Sequence, residues 1–185
     1  ISATALAHGR KMITPGTKLE DIQLAVEAKI RELGGEPAFP AQTSRNHIAA
    51  HYCSPPGDTS EVQAGDIIKL DCGTQVDGWV TDNATTVDLR DGDDSLLLMS
   101  SKMALENAIA IMGPGVSLTE IGRTVESTIT QLGYQPVRNL CGHGVARYTI
   151  HCAPSVPNYD DPKAARLRAN QTIACEPFAC DGKGM

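Results

Sequence analysis

One strand-forming stretch, residues 69–86, carries carboxylates whose spacing suggests chemistry. It reads KLDCGTQVDGWVTDNATT, with Asp71 and Asp82 eleven residues apart. The dipeptide Asp77-Gly78 between them favours the positive φ angles of a tight β-hairpin turn. Folding the strands back about this turn predicts that Asp71 lies opposite Asp82, with β-carbons roughly 5 Å apart.

Two ionised carboxylates this close repel each other, and one normally stays protonated. A divalent cation removes the repulsion and takes both groups as oxygen ligands. The alternative is a solvated hairpin in which the aspartates only form the turn. That alternative suits Asp77, but it suits Asp71 poorly because Ile67, Ile68 and Leu70 form an apolar strand running into it. Both interpretations stay open on the hairpin alone.

The second half of the chain offers histidines that would complete such a site. The segment NLCGHGVARYTIH contains His143 and His151, and Gly142 and Gly144 beside His143 leave room for backbone or ligand. Imidazole is a common ligand for zinc, cobalt, manganese and iron. A histidine taken singly is more often packed or exposed, so neither one decides the question.

A glutamate lies in an unusually apolar segment near the end of the chain. Glu176 stands within QTIACEPFA, which predicts a strand. A buried carboxylate is costly unless it is paired or bound to a metal. Pro177 indicates a sheet edge or a bulge, where side chains are often redirected towards sites. A glutamate on the wet face of an edge strand is the alternative.

Two further histidines, His47 and His51, are four residues apart in FPAQTSRNHIAAHY. This would be a metal-ligand spacing on a helix. The surrounding prolines, Pro40 and Pro55, favour loop and strand instead. We expect His47 to be structural or exposed and keep His51 as a candidate.

Composition excludes several other classes of function. The net charge of −6 argues against a protein that grips nucleic-acid phosphates, and no apolar run is long enough to cross a bilayer. No G-x-S-x-G, P-loop or G-x-G-x-x-G motif occurs. The six cysteines lack a CxxC pair, which favours free thiols in a reducing cytosol over disulfides or a zinc site.

The elements that position these groups occur twice. Residues 15–37 (PGTKLEDIQLAVEAKIRELGGEP) and 114–136 (PGVSLTEIGRTVESTITQLGYQP) match at an offset of 99 without a gap. Apolar residues spaced by three and four predict an amphipathic helix in each copy. Thr17 and Ser117 are the predicted N-caps, and Gly34 and Gly133 the predicted ends.

Each copy follows the same course. A first helix (about 1–12, about 95–112) precedes the amphipathic helix, and a segment with histidines follows it. Strands are predicted over Asp66–Arg90 in the first copy and Gln171–Ala179 in the second. The sequence therefore predicts an α+β fold of two pseudo-symmetric halves, with a site framed by both.

With these residues in view, the chain resembles the type II methionine aminopeptidases, most of all the archaeal members. The likeness covers essentially all 185 residues. It is carried by EPAFPAQTSRNHIAAHY, GDIIKLDCGTQVDGWVTDNATT, NLCGHGVARYTIH and ACEPFACDGKG. It implies the pita-bread fold in a single catalytic domain, residues 1–185, with a first half at about 1–92 and a second at about 93–185.

The resemblance also implies roles for individual residues. Two divalent ions (cobalt, manganese, iron or zinc) would be held by Asp71, Asp82, His143 and Glu176. His51 would contact the scissile carbonyl, His151 would touch the bound peptide, and Phe39 would form a wall of the methionine pocket. The family's fifth ligand, a second glutamate, and its type II insertion would fall after Met185. A chain truncated there is expected to be inactive by itself.

The implied reaction is removal of the N-terminal methionine from nascent polypeptides by a metal-bridging hydroxide. The expected partner is a peptide beginning with methionine, and the enzyme is expected to be a cytoplasmic monomer without membrane or specific nucleic-acid partners. The alternatives are a proline-specific or creatinase-like enzyme of the same fold, a metal-free binding paralogue, and an inactive structural fragment.

Overall fold

The structure is a computed structural model that describes residues 1–90, 92, 95–162 and 165–185. The chain forms two compact units, Ile1–Asp93 and Asp94–Met185. Each unit packs two helices with antiparallel strands, so the predicted α+β class is confirmed. None of the helices in these described ranges is long and apolar enough to cross a membrane.

The first unit consists of two helices followed by a three-stranded sheet in the order β1-β2-β3, with both strand pairs antiparallel. Its elements are α1 (Ser2–Met12), α2 (Leu19–Glu32), β1 (Glu36–Arg45), β2 (Ile67–Val76) and β3 (Trp79–Asp88).

Strand β2 separates the core of this unit from its other face. Leu70 and Cys72 are fully buried and belong to the hydrophobic core together with Ile22 and Val26 of α2. Successive residues of a strand point to opposite faces, so Asp71 and Gly73 face away from this core. The apolar stripe predicted for α2 therefore packs on one face of the sheet and leaves the other for polar groups.

The second unit repeats the two helices and continues into short strands. Its elements are α3 (Leu96–Ile111), α4 (Leu118–Gln131), β4 (Gln135–Pro136), β5 (Cys141–Ala146), β6 (Thr149–Pro157), β7 (Thr172–Ala174) and β8 (Ala179–Cys180). The strands form a sheet in the order β6-β5-β7 and a separate β4-β8 pair. All of these pairs are antiparallel.

The helical repeat is kept residue by residue. Helices α2 and α4 begin and end 99 residues apart, and Gly34 and Gly133 both follow them with φ near 86°. The predicted N-cap Ser117 is confirmed, since its hydroxyl accepts a hydrogen bond from the Thr119 amide. The prediction for Thr17 is wrong: the N-cap of α2 is Lys18, the true counterpart of Ser117 at this offset, and it makes no side-chain cap.

The repeat also includes the pairing of the strands, beyond the residues whose sequences match. Between the first and second strands of the repeat the second unit is six residues longer, so the offset rises from 99 to 105. The pair Glu36↔Gln75 recurs as Gln135↔Cys180, and Arg45↔Ile68 recurs as Gly144↔Ile173. In this alignment Glu176 is the counterpart of Asp71.

The turn that precedes the second strand of the repeat also occurs in both units. The Gln63 amide donates to a carboxylate oxygen of Asp66 over 2.8 Å, and the Arg168 amide donates to Oε1 of Gln171 over 2.5 Å. Both donors and both acceptors are 105 residues apart, which agrees with the strand offset. The shared turn supports an internal duplication of the whole helix–helix–sheet unit.

One strand prediction is wrong in its extent. The strand predicted over Gln171–Ala179 divides into β7 and β8, and Glu176 lies in the irregular segment between them. Pro177 has no N–H for a ladder hydrogen bond, which explains why pairing stops there.

A close contact between α4 and the chain after β6 yields a stability prediction. A β-carbon added at Gly122 would lie 2.1 Å from the backbone oxygen of Tyr159. We expect Gly122→Ala to lower the free energy of unfolding by about 2 kcal/mol, because overpacking outweighs alanine's helix advantage of about 1 kcal/mol. Urea denaturation measures the change. Gly113→Ala, where the nearest atom is 4.0 Å away, is the control, and equal stability of both variants would contradict the contact.

Candidate metal centre

The two aspartates of the first unit share one face of the sheet, but they are not directly opposite each other. Asp71 pairs with Ala84, and Asp82 pairs with Gly73. The prediction of directly facing residues is therefore wrong by two residues. Diagonal neighbours of this kind still point to the same side of the sheet, with α-carbons roughly 7–8 Å apart and β-carbons somewhat closer. That spacing leaves room for cations between the carboxylates.

Phe39 lies on this same face. It pairs with Gly73 across β1 and β2, and its ring comes within 2.3 Å of the position that a β-carbon at Gly73 would occupy. Glycine at this position therefore lets the aromatic ring cover the sheet beside Asp82. An apolar wall and two carboxylates thus occupy one surface of the first unit.

The remaining predicted residue of this unit, His51, lies in the long loop between β1 and β2. It is exposed, and its φ of 67° is unusual for a residue other than glycine. Its amide donates to Oε1 of Gln42 over 3.0 Å. His47 is also exposed, as predicted.

In the second unit, His143 is buried and is oriented by contacts of both ring nitrogens. Nδ1 lies 3.1 Å from the backbone oxygen of Gly144, and Nε2 lies 3.0 Å from Oε1 of Glu176. A carbonyl oxygen only accepts, so Nδ1 carries the proton in this contact, which leaves Nε2 with a lone pair when the ring is neutral. This is the orientation that metal-bound histidines commonly have.

The contact with Glu176 has a simple electrostatic consequence. A lone pair on Nε2 and a carboxylate oxygen repel at 3.0 Å unless a proton or a cation lies between them. Two ligand atoms each about 2.1 Å from one cation, at right angles, are separated by about 3 Å. The spacing of His143 and Glu176 therefore fits two ligands of a single ion.

His151 packs against His143 in the same unit. Their ring centroids are 4.3 Å apart, with the planes at 84° in an edge-to-face contact. The glycines beside His143 have the predicted role of allowing close approach: a β-carbon at Gly142 or Gly144 would lie 2.3 Å from a neighbouring backbone oxygen. Because these two glycines have no side chain, β6 and β7 can pack tightly around the strand that carries His143.

All six cysteines are free thiols, and two of those near the predicted site residues are held in the protonated form. Burial raises the pKa of Cys72 to about 11, and the charges of Asp71 and Asp82 add to the rise. Burial, with a contribution from Glu176, raises the pKa of Cys175 to about 12. Both thiols stay protonated at neutral pH, which agrees with the absence of a thiol motif.

A separate open groove of about 820 Å³ lies in the second unit. It is lined partly by Arg138, Arg166 and Arg168, and it includes none of the predicted site residues.

The predicted residues therefore form two local groups. Asp71, Asp82 and Phe39 share a sheet face in the first unit, with His51 in the adjoining loop. In the second, His143 contacts both Glu176 and His151. Sequence reasoning missed Gln42, which contacts His51. A neutral amide nine residues before a histidine has no recognisable spacing, and only the loop path reveals the contact.

The chain is similar to known proteins along its whole length. The model of metallopeptidase family M24 matches residues 1–185. A methionine aminopeptidase of Archaeoglobus fulgidus is 42% identical over 180 residues, which are 97% of this chain and 61% of that protein. The chain thus spans about three-fifths of the length of this curated relative.

Solved structures show the same fold. A methionine aminopeptidase of Thermotoga maritima matches all of this chain and 77% of its own, with a TM-score of 0.91 and 29% identity. A prolidase of Pyrococcus furiosus matches 94% of this chain and 51% of its own, with a TM-score of 0.79 and 23% identity. The predicted pita-bread fold is confirmed by these likenesses. With the family model matched from the first residue to the last, the chain belongs to metallopeptidase family M24.

Proposed function

We propose that the full-length protein containing this chain is a methionyl aminopeptidase that removes the N-terminal methionine from nascent polypeptides. The observation that carries the proposal is the pair formed by His143 and Glu176, whose ligand atoms are 3.0 Å apart. With Nδ1 bonded to the Gly144 carbonyl oxygen, Nε2 presents its lone pair beside Glu176, as in a metal-ligating histidine. The relatives named methionine aminopeptidase supply the substrate class.

We propose further that both units form one catalytic domain whose ligand set is Asp71, Asp82, His143 and Glu176. The fit rests on the donor chemistry: three carboxylates and one neutral imidazole suit manganese, iron, cobalt or zinc. Two ions are the expected number, because Asp71 and Asp82 together would offer up to four oxygen atoms on one face.

Divalent cations held by these residues would supply Lewis-acid polarisation of the scissile carbonyl and would lower the pKa of bound water towards roughly 7. The protein's own groups then orient the substrate. His51 donates a hydrogen bond to the carbonyl oxygen as negative charge develops there, an interaction worth about 3 kcal/mol at such sites. His151 contacts the bound peptide beside the ring of His143.

The methionine preference is assigned to the wall formed by Phe39. Its ring covers Gly73 on the face that carries the aspartates, so an apolar side chain lying against it would be close to the reacting carbonyl. Desolvation of the methionine thioether on this ring would favour long, unbranched apolar residues.

A proline-specific peptidase of the same fold is the second candidate, because a prolidase is among the structural neighbours. That likeness, at 23% identity, concerns the fold alone. A metal-free binding paralogue is disfavoured by the retention of four ligand-type side chains.

We place the enzyme in the cytoplasm as a monomer. The six free thiols suit a reducing compartment.

Metal content tests the ligand set. We expect the full-length protein to bind about two divalent ions per chain and Asp82→Asn to lose at least one, with kcat/KM falling about 100-fold or more. Metal analysis after gel filtration, together with peptide hydrolysis, measures both. The matched control is Asp77→Asn, the same change in the hairpin turn, where φ is 50° and asparagine is tolerated. Equal metal loss in both variants would contradict the assignment of Asp82.

Substrate choice tests the reaction. We expect the metal-loaded full-length protein to release methionine from a Met-Ala-Ser peptide and to leave Ala-Pro dipeptides intact, with activity abolished by a chelator and restored by added metal. Chromatography of the free amino acid is the measurement. Hydrolysis of the proline dipeptide without methionine release would instead support the second candidate, and a metal-loaded protein that cleaves neither would refute both.

The pocket wall is tested by shortening it. Phe39→Ala should raise KM for methionine peptides about tenfold because apolar contact with the side chain is lost. Metal content should be unchanged, since the ring supplies no ligand. Steady-state kinetics checks this, with Trp79→Ala as a control at an exposed aromatic residue of the same three-stranded sheet. An unchanged KM would remove Phe39 from the pocket.

A further inference from the structure

The loop that carries His51 has no helix or strand between Asn46 and Ser60, yet its backbone is firmly held. His51 adopts a φ of 67°, a left-handed conformation that is unfavourable for a residue with a side chain. Such a conformation persists only when surrounding contacts maintain it. The contacts that maintain it are made by His51 and its neighbour Tyr52.

Those contacts come from three consecutive residues of β1. The amide of His51 donates to Oε1 of Gln42 over 3.0 Å. The amide of Tyr52 donates to the hydroxyl of Ser44 over 3.1 Å, and the carbonyl of Tyr52 accepts from the amide of Thr43 over 2.9 Å. The loop is thus fastened alongside the end of β1, with Gln42 bonded to the histidine itself.

The position of Gln42 connects this loop to the aspartate face. Gln42 pairs directly with Asp71 across β1 and β2, so both side chains project from the same side of the sheet. We propose that Gln42 is a positioning residue, which holds the backbone of His51 in the conformation that serves the reaction. The proposal rests on the proposed function, since it assigns His51 its role there.

Other side chains anchor the same loop without touching His51. Oε1 of Gln23 accepts from the amide of Ser54, and Oε1 of Glu20 accepts from the amide of Gly57, each over 2.9 Å. If Gln42 were only another loop anchor, removing it would resemble removing Glu20. This comparison provides a matched control, because Glu20 makes the same kind of bond six residues further along.

The kinetic experiment uses the metal-loaded full-length protein. Gln42→Met keeps the length of the side chain but removes the amide acceptor, and we expect kcat to fall about 10- to 100-fold. KM and metal content should stay within twofold of the wild type. Glu20→Met should leave kcat unchanged. Equal losses of kcat in both variants, or a loss in Gln42→Met that follows metal content, would overturn the positioning role.

A double-mutant cycle distinguishes positioning from general damage. If Gln42 acts through His51, then Gln42→Met combined with His51→Ala should be no slower than His51→Ala alone. Independent, multiplying losses would contradict the proposal. Gln42→Asn, which keeps the amide but shortens its reach by one methylene, should show the same loss of kcat if Gln42→Met does not fold.

A second measurement does not depend on activity. Hydrogen exchange of the His51 amide should be at least tenfold faster in Gln42→Met than in the wild type, while the Gly57 amide should be unaffected. Equal exchange of the His51 amide in both proteins would overturn the proposal. A metal-loaded wild type that releases no methionine would instead refute the proposed function, and the exchange comparison would still decide whether Gln42 holds His51.

Discussion

The alternation of β2 is the constraint on which the first unit depends. Leu70 and Cys72 must face the helices because they fill the core, and this fixes Asp71 on the opposite face. A slip of one residue would bury a carboxylate among apolar side chains and expose the core residues, at a cost of several kcal/mol. Hydrophobic packing on one side of the sheet thereby determines the direction of the acidic groups on the other.

The two copies of the unit carry groups of different chemistry at equivalent positions. Asp71 and Glu176 hold equivalent positions at the offset of 105, so each copy carries a carboxylate there, within β2 in the first unit and in the irregular segment after β7 in the second. At the neighbouring strand, Ser44 of the first copy corresponds to His143 of the second. Ser44 fastens a loop through its hydroxyl, whereas His143 offers a ring nitrogen. The duplicated framework thus supplies oxygen donors twice and a nitrogen donor once.

Much of this arrangement follows from the sequence, and its errors have physical causes. The hairpin and the four helices were predictable from turn residues and apolar spacing. The turn also determines the register of the aspartates, although the prediction that they face each other is wrong. Val76 pairs with Trp79 across the two-residue turn, so counting outward pairs Asp71 with Ala84 rather than with Asp82. Glu176 lies outside a strand because Pro177 interrupts pairing. The contact between Gln42 and His51 was beyond sequence reasoning, since an irregular loop has no period that fixes where it returns.

The local electrostatics favour a functional over a structural reading of the aspartate face. Asp71 and Asp82 raise the pKa of Cys72, although that thiol points to the core on the other side of the sheet. Two ionised carboxylates on one face also repel each other, and neither side chain belongs to the hydrophobic core of the unit. A fold retains such a cost where the charges do something else. Cations bound between the carboxylates would relieve this repulsion, so that the same side chains would contribute to the stability of the metal-bound sheet.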